Sequence, residues 1–235
     1  MTKIIHCADL HLDSPMETHM TEEQASIRNT EIIHTFLRLT EYAAKNDVRA
    51  VIIAGDMFDG ERIKIRTVDE ILDAIRRTPN VDYLYLAGNH DGATYAFADH
   101  DMPDNLKIFG KEWTTYKYDS VAISGVEICE ANSQSLYLQV PHENGVVNIV
   151  TLHGQVGVVQ VNISKLKNKG IDYLALGHIH TYAEQTLDGK GIYCYSGCLE
   201  GRGFDECGPK GFVLLTVDSN RIQHEFVPFS RRQLH

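Results

Sequence analysis

The sequence predicts an α/β (α+β) fold in which a largely parallel β-sheet packs against a second β-sheet. Two observations support this prediction. Over residues 3–87, short apolar runs alternate with helical patterns, an order that gives right-handed crossovers between parallel strands. From about residue 106 the pattern changes to shorter runs in which apolar and polar residues alternate. These runs predict the second sheet, which we expect to be more antiparallel than the first.

Five apolar runs are the strongest strand candidates. Each is bounded by turn residues and is rich in β-branched and aliphatic side chains, as expected of strands that are covered on both faces. They span residues 3–8, 49–54, 81–87, 146–152 and 171–176.

Two helices and a hairpin complete the predicted element order. One helix is predicted over residues 21–46 and a second over residues 66–77. The second helix carries an apolar stripe at helical spacing, formed by Val68, Ile71, Leu72 and Ile75. Near the end of the sequence, the runs GFVLLTV and RIQHEFVPF are joined by residues 218–220. This arrangement predicts a hairpin.

Length, charge and cysteine usage limit the kinds of protein this sequence can be. At 235 residues with 43% apolar residues, one domain with one core is expected. The formal net charge of −10 works against nonspecific attraction to nucleic acid, although bound metal ions can supply local positive charge. No apolar run reaches the length of about 20 residues that a membrane span needs. The absence of a targeting segment and the odd number of cysteines predict a cytoplasmic protein.

Polar side chains follow each of the five apolar runs directly. They are Asp9 with His11, Asp56, Asn89, His153, and His178 with His180. Ligands of open α/β sheets bind outside the carboxyl ends of the strands. We therefore expect all seven side chains to meet at one edge of the sheet.

The chemistry of these seven side chains indicates metal ions. They offer two carboxylates, one amide oxygen and four imidazoles, but no thiolate. Two divalent ions that share a bridging carboxylate would use this whole set, whereas one ion rarely takes so many protein ligands. Two ions about 3.5–4 Å apart form a clamp for in-line displacement at phosphorus. Mixed oxygen and imidazole ligands suit manganese, iron or zinc better than magnesium or calcium.

Four neighbouring polar residues have predicted supporting roles. His90 follows Asn89 and is expected to stabilise the transition state or to protonate the leaving oxygen. Asp91 is predicted to orient the His90 imidazole. Asp59 either orients a ligand or a bound water, or it stabilises a turn. His6 lies within the first predicted strand, so a core or supporting role is expected rather than direct ligation.

The order of these motifs resembles a known superfamily. Asp-X-His, Gly-Asp-X-X-Asp, Gly-Asn-His-Asp, a lone His and Gly-His-X-His, in that order, are similar to the calcineurin-like metallophosphoesterase superfamily. The segments HCADLHLDSP and YSGCLEGRGFDECGPKGF resemble the SbcD-type DNA-repair exonuclease branch, which includes YhaO-like bacterial phosphoesterases. The resemblance implies a four-layer fold, a two-sheet β-sandwich flanked by helices, and manganese as the usual activating ion.

The resemblance also implies a role for each site residue. It assigns to metal one the residues Asp9, His11, Asp56 and His180. It assigns to metal two the residues Asn89, His153, His178 and the shared Asp56. His90 becomes the catalytic histidine, assisted by Asp91. Arg202 lies in the branch-like segment and is expected to contact the substrate.

Three functions follow, of which the first two share one chemistry and the third belongs to a different class. The first is a manganese-dependent DNA exonuclease or single-strand nuclease, in which a metal-bridging hydroxide attacks phosphorus while His90 assists the departing oxygen. The second keeps this chemistry for a small phosphodiester or phosphomonoester, such as a cyclic nucleotide. The third is a binding module of a repair assembly that retains metals without turnover.

The resemblance implies partners as well as a substrate. Nucleases of this branch carry a capping domain that contacts DNA and a tail that docks an ATPase partner. This sequence ends at RRQLH, soon after the final predicted hairpin, so we expect one catalytic domain over residues 1–235 and no capping domain. These nucleases also pair through helices. The stripe on helix 66–77 could serve a homodimer, or it could be buried on its own sheet.

Overall fold

The computed structural model describes residues 1–16, 20–60, 63–91, 97, 100–157, 161–203 and 206–233. Within these residues, twelve strands form two six-stranded sheets. The first sheet has the order β12-β11-β1-β2-β3-β4, and its strands are β1 (Thr2–Cys7), β2 (Val48–Ala54), β3 (Asp82–Leu86), β4 (Leu106–Phe109), β11 (Gly211–Asp218) and β12 (Arg221–Pro228). The second has the order β5-β6-β7-β8-β10-β9, and its strands are β5 (Thr114–Tyr118), β6 (Val121–Gly125), β7 (Val147–His153), β8 (Tyr173–Gly177), β9 (Ala183–Thr186) and β10 (Ile192–Tyr195).

Three α-helices accompany the sheets in the described part of the chain. They are α1 (Glu22–Lys45), α2 (Ile65–Arg76) and the short α3 (Ile163–Leu166). Helix α1 begins at a capping box, in which Thr21 and Gln24 each accept a hydrogen bond from the other's backbone N–H. This reciprocal pairing satisfies two donors that a helix start otherwise leaves free. Both long helices agree with the predicted ranges.

The two sheets pack face to face as a β-sandwich with an apolar interior. Ile52 and Leu84 of the first sheet lie in one buried cluster with Ile149 and Tyr173 of the second. A separate cluster fills the space between the first sheet and helices α1 and α2. The predicted two-sheet sandwich flanked by helices is therefore confirmed. Among the described residues, no helix combines the length and the apolar character that a membrane span needs.

The apolar stripe of α2 is buried on its own sheet. Val68, Ile71, Leu72 and Ile75 are at most 2% exposed and belong to the cluster beneath the first sheet. Of the two roles that the sequence left open for this stripe, the structure shows packing. A pairing surface formed by these four side chains is therefore ruled out.

Two details of the predicted sheets are wrong. The second sheet is not the more antiparallel one, because each sheet has three parallel and two antiparallel strand pairs. The predicted hairpin exists, but β11 pairs with β1 and so extends the first sheet. Alternation of apolar and polar residues reports which face of a strand is covered. It does not report the direction of the neighbouring strand.

The strand ends that carry the predicted ligands lie on both sheets. β1, β2 and β3 belong to the first sheet, whereas β7 and β8 belong to the second. The prediction of one edge of a single sheet is therefore wrong. The two sheets approach each other closely at this rim, where His153 Nδ1 lies 2.9 Å from the backbone oxygen of Ala54. The polar residues meet along the common rim of the sandwich.

Candidate metal centre

One group of candidate ligands combines the loops after β1 and β8. Asp9, His11 and His180 each offer a ligand atom, and these atoms lie within 4.8 Å of one another. The two Nε2 atoms of His11 and His180 are 3.2 Å apart. Both carboxylate oxygens of Asp9 accept the backbone N–H of His178, at 2.9 and 3.0 Å. This contact fixes the carboxylate beside the two imidazoles, an oxygen and nitrogen ligand set that suits a divalent cation.

A second group combines the loops after β2, β3, β7 and β8. Ligand atoms of Asp56, His153 and His178 lie within 4.8 Å of one another. Asn89 Oδ1 is 3.0 Å from both His153 Nε2 and His178 Nδ1. His153 Nδ1 faces the backbone oxygen of Ala54 at 2.9 Å, so this nitrogen carries the proton. The lone pair of His153 Nε2 consequently points into the group.

The Asp56 carboxylate lies between the two groups. Its Oδ2 is 3.4 Å from His153 Nε2 and 3.9 Å from His11 Nε2. The same oxygen is buried and has no hydrogen-bond partner among the described residues. Burial alone would raise the pKa of Asp56, but the contacts with His153, with the backbone N–H of His90 and with His11 together lower it to about 2. A buried carboxylate oxygen without a partner is costly unless a cation compensates it, so these residues fit a pair of divalent ions.

The backbone at these positions is strained. Four of the predicted ligands have positive φ angles although none is a glycine: Asp9 at 51°, His11 at 45°, Asp56 at 49° and His178 at 95°. Such residues each cost on the order of 1–3 kcal/mol and cluster at functional sites. The surrounding fold therefore holds the side chains in directions that an unstrained turn would not give.

Close packing also demands glycine beside the ligands. A Cβ atom on Gly88 would lie 2.2 Å from Asp56 Oδ1, and one on Gly177 would lie 1.8 Å from the backbone oxygen of Ala54. Both distances are far below van der Waals contact. The absence of a side chain at these two positions therefore lets the strand ends approach one another.

His90 lies beside the two groups with half of its side chain exposed. Its backbone N–H donates to Asp56 Oδ1 at 2.9 Å, and its Nδ1 is 3.2 Å from Asp59 Oδ1. Asp59 Oδ1 is also 3.8 Å from His11 Nδ1. The contact with His11 is the main reason that the pKa of Asp59 lies well below its usual range. Of the two roles left open for Asp59, orientation of a histidine is therefore the one its contacts favour.

Asp91 does not orient the His90 imidazole, so that sequence-based prediction is wrong. Its carboxylate accepts the backbone N–H groups of Met57, Phe58 and Gly88, at 3.2, 2.8 and 2.8 Å. These bonds tie the loop after β3 to the loop after β2. The prediction fails because the Asp91 side chain points toward the backbone of these loops. The carboxylate beside the His90 ring belongs to Asp59, on the loop after β2.

Residues 2–182 match the family model for calcineurin-like phosphoesterases. The chain belongs to this family. Phosphoesterases of this family use divalent metal ions, in agreement with the two ligand groups described above.

Two curated relatives of this phosphoesterase cover most of the chain. The uncharacterized metallophosphoesterase YhaO of Bacillus subtilis (strain 168) is 25% identical over 244 residues, which cover 94% of this chain and 59% of YhaO. The DNA double-strand break repair protein Mre11 of Sulfurisphaera tokodaii is 27% identical over 211 residues, which cover 80% of this chain and 51% of that protein. The chain thus spans 59% and 51% of the length of these two relatives.

Solved structures of other proteins share the fold. TT1561 of Thermus thermophilus has a TM-score of 0.58 at 12% identity, and the match covers 96% of this chain and 98% of that one. A dimetal phosphatase from Danio rerio has a TM-score of 0.59 at 12% identity, with 95% of each chain covered. At such low identity these similarities support the fold alone.

In this phosphoesterase, Arg202 has partners within the protein. Its two terminal guanidinium nitrogens donate to Asp59 Oδ2 at 3.0 Å and to Glu206 Oε1 at 3.2 Å. A contact between Arg202 and the substrate stays a prediction. Glu206 is a site residue that was not predicted from the sequence, and its Oε1 lies 2.5 Å from His180 Nδ1. The available signal was its place in the branch-like segment, four positions after Arg202.

Proposed function

We propose that this phosphoesterase is a dinuclear-metal phosphodiesterase that hydrolyses DNA, as a manganese-dependent exonuclease or single-strand nuclease. The observation that carries the proposal is the unpartnered Oδ2 of Asp56, which lies between two groups of ligand atoms. The choice of DNA rests on the relatives named as DNA double-strand break repair proteins. It also rests on the branch-like segments around Asp9 and Arg202.

The proposed ligand sets follow the two groups. Metal one would be held by Asp9, His11, Asp56 and His180. Metal two would be held by Asn89, His153, His178 and Asp56, which both sets include. Two divalent ions bound there would supply the Lewis acidity that activates water and stabilises charge on the phosphoryl oxygens. Asp56 would neutralise part of the positive charge of both ions, because its carboxylate faces His11 on one side and His153 on the other.

His90 is the proposed proton donor to the leaving oxygen. Its imidazole is half exposed, so a substrate can reach it, and Asp59 Oδ1 lies 3.2 Å from its Nδ1. The backbone N–H of His90 donates to Asp56, which fixes the histidine next to the ligand groups. A histidine in this position can transfer a proton as the phosphorus–oxygen bond breaks. Asp91 supports the same loop through its backbone contacts.

A small phosphoester is the alternative substrate. The formal net charge of −10 opposes the approach of a long polyanion, and the guanidinium of Arg202 is already paired with two carboxylates. A cyclic nucleotide or another small phosphodiester needs less positive surface than DNA does. An ATPase partner and the pairing of two copies are proposals that rest on the resemblance to the nuclease branch.

Hydrolysis of two substrates tests the proposal. Linear single-stranded DNA and bis-p-nitrophenyl phosphate are incubated with manganese and either the wild-type protein, Asp56→Asn or Asp172→Asn. Asp172 is a matched control, because it is also buried and accepts the backbone N–H of Asn148 at 2.8 Å, away from the ligand groups. We expect wild type and Asp172→Asn to hydrolyse both substrates, and Asp56→Asn to hydrolyse neither.

Two other results would change the conclusion. Cleavage of the small diester alone would retain the chemistry and remove the DNA assignment. Equal rates for wild type and Asp56→Asn on both substrates would remove the dinuclear centre, because the bridging carboxylate would then be dispensable.

A further inference from the structure

His180 is bonded on both sides of its ring. Its Nε2 faces His11 Nε2 at 3.2 Å, and its Nδ1 lies 2.5 Å from Glu206 Oε1. A carboxylate at Nδ1 keeps the proton on that nitrogen and leaves the Nε2 lone pair free for a cation. Glu206 thus determines both the tautomer and the direction of the nitrogen that faces the first ligand group.

Glu206 is buried as a charged group. It is 6% exposed, and its Oε2 accepts the backbone N–H of Arg202 at 2.7 Å. Burial alone would raise the pKa of Glu206, but the contacts with His180 and Arg202 lower it to about 2. A buried carboxylate with several donors is held in one orientation. It can therefore hold the imidazole in one orientation too.

Arg202 connects this carboxylate to a second one. One terminal nitrogen of its guanidinium donates to Glu206 Oε1 and the other to Asp59 Oδ2. Asp59 is in turn the partner of His90 Nδ1. A guanidinium is planar and presents its donors in a fixed fork, so it sets the distance between the two carboxylates. The result is a continuous series of contacts from His180 through Glu206, Arg202 and Asp59 to His90.

The segment that bears Arg202 and Glu206 is anchored on His180 itself. The backbone oxygen of His180 accepts the Lys210 ammonium at 2.6 Å and the backbone N–H of Cys198 at 3.3 Å. Lys210 is buried despite its charge. The described parts of the segment are therefore attached to His180 on both sides of Glu206.

We propose that Glu206 is the positioning residue of His180 and that Arg202 ties this histidine to the Asp59–His90 pair. The inference rests on the proposed function, because it assigns a purpose to the groups that surround the metal centre. The series of contacts holds His180, a candidate metal ligand, and His90, the proposed proton donor, at a fixed separation. It also gives Arg202 a role other than substrate binding.

Titration of the metal-free protein with manganese tests the role of Glu206. Residues that hydrogen-bond to metal-binding histidines typically contribute about 10- to 100-fold in metal affinity. Glu206→Ala should therefore lower the affinity for one of the two ions by about that factor. Glu206→Gln keeps an acceptor for Nδ1 but loses the charge, and we expect an intermediate loss. Glu184→Gln is the control, because Glu184 also pairs with a histidine, His224 at 2.8 Å, on the edge strand β9. It should bind both ions as wild type does.

A thermal melt of each metal-free variant shows whether it is folded. If Glu206→Ala does not fold, the folded Glu206→Gln variant carries the test. Wild-type affinity for both ions in a folded Glu206 variant would overturn the inference. If wild type itself binds no pair of ions and hydrolyses no phosphodiester, the proposed function fails as well, so the two failures are distinguishable.

Steady-state kinetics of Arg202→Lys test the connection to His90. A lysine ammonium cannot reproduce the two-pronged contact, so a positioning role predicts a lower kcat with an unchanged KM. The manganese titration should show a lower affinity for one ion in this variant too, because Glu206 loses a partner. A raised KM with unchanged kcat and unchanged metal affinity would instead indicate a uniform contact with the substrate. That result would overturn the proposed role of Arg202.

Discussion

Two ionic networks lie along the segment that joins β10 to β11, and they differ in how completely their polar atoms are paired. In the first, Glu200 accepts bonds from Arg28, Thr35 and the backbone N–H groups of residues 231 and 232. Arg28 also pairs with Glu31 at 2.8 Å. In the second, Glu206 and Arg202 contact His180 and Asp59.

The first network is closed, whereas the second is not. Among the described residues, every polar side-chain atom of Arg28, Glu31 and Glu200 that is fully buried has a partner. Around the second network, the buried atoms without a hydrogen-bond partner include His11 Nδ1, Asp56 Oδ2 and Arg202 Nε. Two of these residues also have positive φ angles. A closed network stabilises the fold, while an open one in strained backbone indicates a site for a group that the chain does not supply.

Of the substitutions that compare the two networks, the largest effect is expected for Asp59, which belongs to the open network. Asp59→Asn removes the charge that faces His90, so hydrolysis of bis-p-nitrophenyl phosphate should fall by about 10²- to 10⁴-fold, the usual contribution of a general acid. Asp91→Asn is the comparison, because Asp91 contacts backbone N–H groups instead. Asp91→Asn should lower the free energy of unfolding, and the folded variant should hydrolyse the diester faster than Asp59→Asn does. The reverse pattern would restore Asp91 as the partner of His90.

A substitution in the closed network should lower the stability of the fold and leave the metal centre unchanged. Arg28→Met leaves two buried carboxylates with fewer cations, and breaking a buried pair costs about 3–5 kcal/mol. We expect urea denaturation to show this loss, while the folded variant binds manganese as wild type does. Arg76→Met is the control, because its exposed pair with Asp73 should contribute at most about 1 kcal/mol. Loss of metal affinity without loss of stability would contradict the distinction between the two networks.

The strand ends could be predicted from the sequence, whereas the side-chain pairs around them could not. A strand buried on both faces gives the same apolar run in either sheet, so β7 and β8 resemble β2 although they lie in the other sheet. Asp91 follows His90 in the sequence, yet Asp59 is the partner of its ring. Glu206 and His180 meet only because the fold brings two loops together. No periodicity marks such a contact.

His6 tests whether an unpartnered nitrogen is by itself a sign of a site. It is fully buried in β1, with Nδ1 at 2.9 Å from the Tyr173 hydroxyl and with Nε2 lacking a hydrogen-bond partner among the described residues. Its backbone is ordinary strand, however, paired with β2 and β11. The open network differs because strained backbone and several ligand atoms coincide there. We therefore expect His6 to affect stability and to leave metal binding unchanged.

The pH dependence of stability provides the measurement for His6. Burial lowers its pKa from 6.5 to about 3, so the folded protein keeps the ring neutral at pH values where the unfolded chain takes up a proton. The stability contribution is full above pH 6.5 and is lost as the pH falls toward 3, by about 2 kcal/mol between pH 7 and pH 5. In urea denaturation of the metal-free protein, the free energy of unfolding of wild type should therefore fall more between pH 7 and pH 5 than that of His6→Gln. The expected difference is about 2 kcal/mol. A changed manganese affinity in His6→Gln would contradict the expectation, since an unpartnered nitrogen in unstrained backbone would then influence the centre.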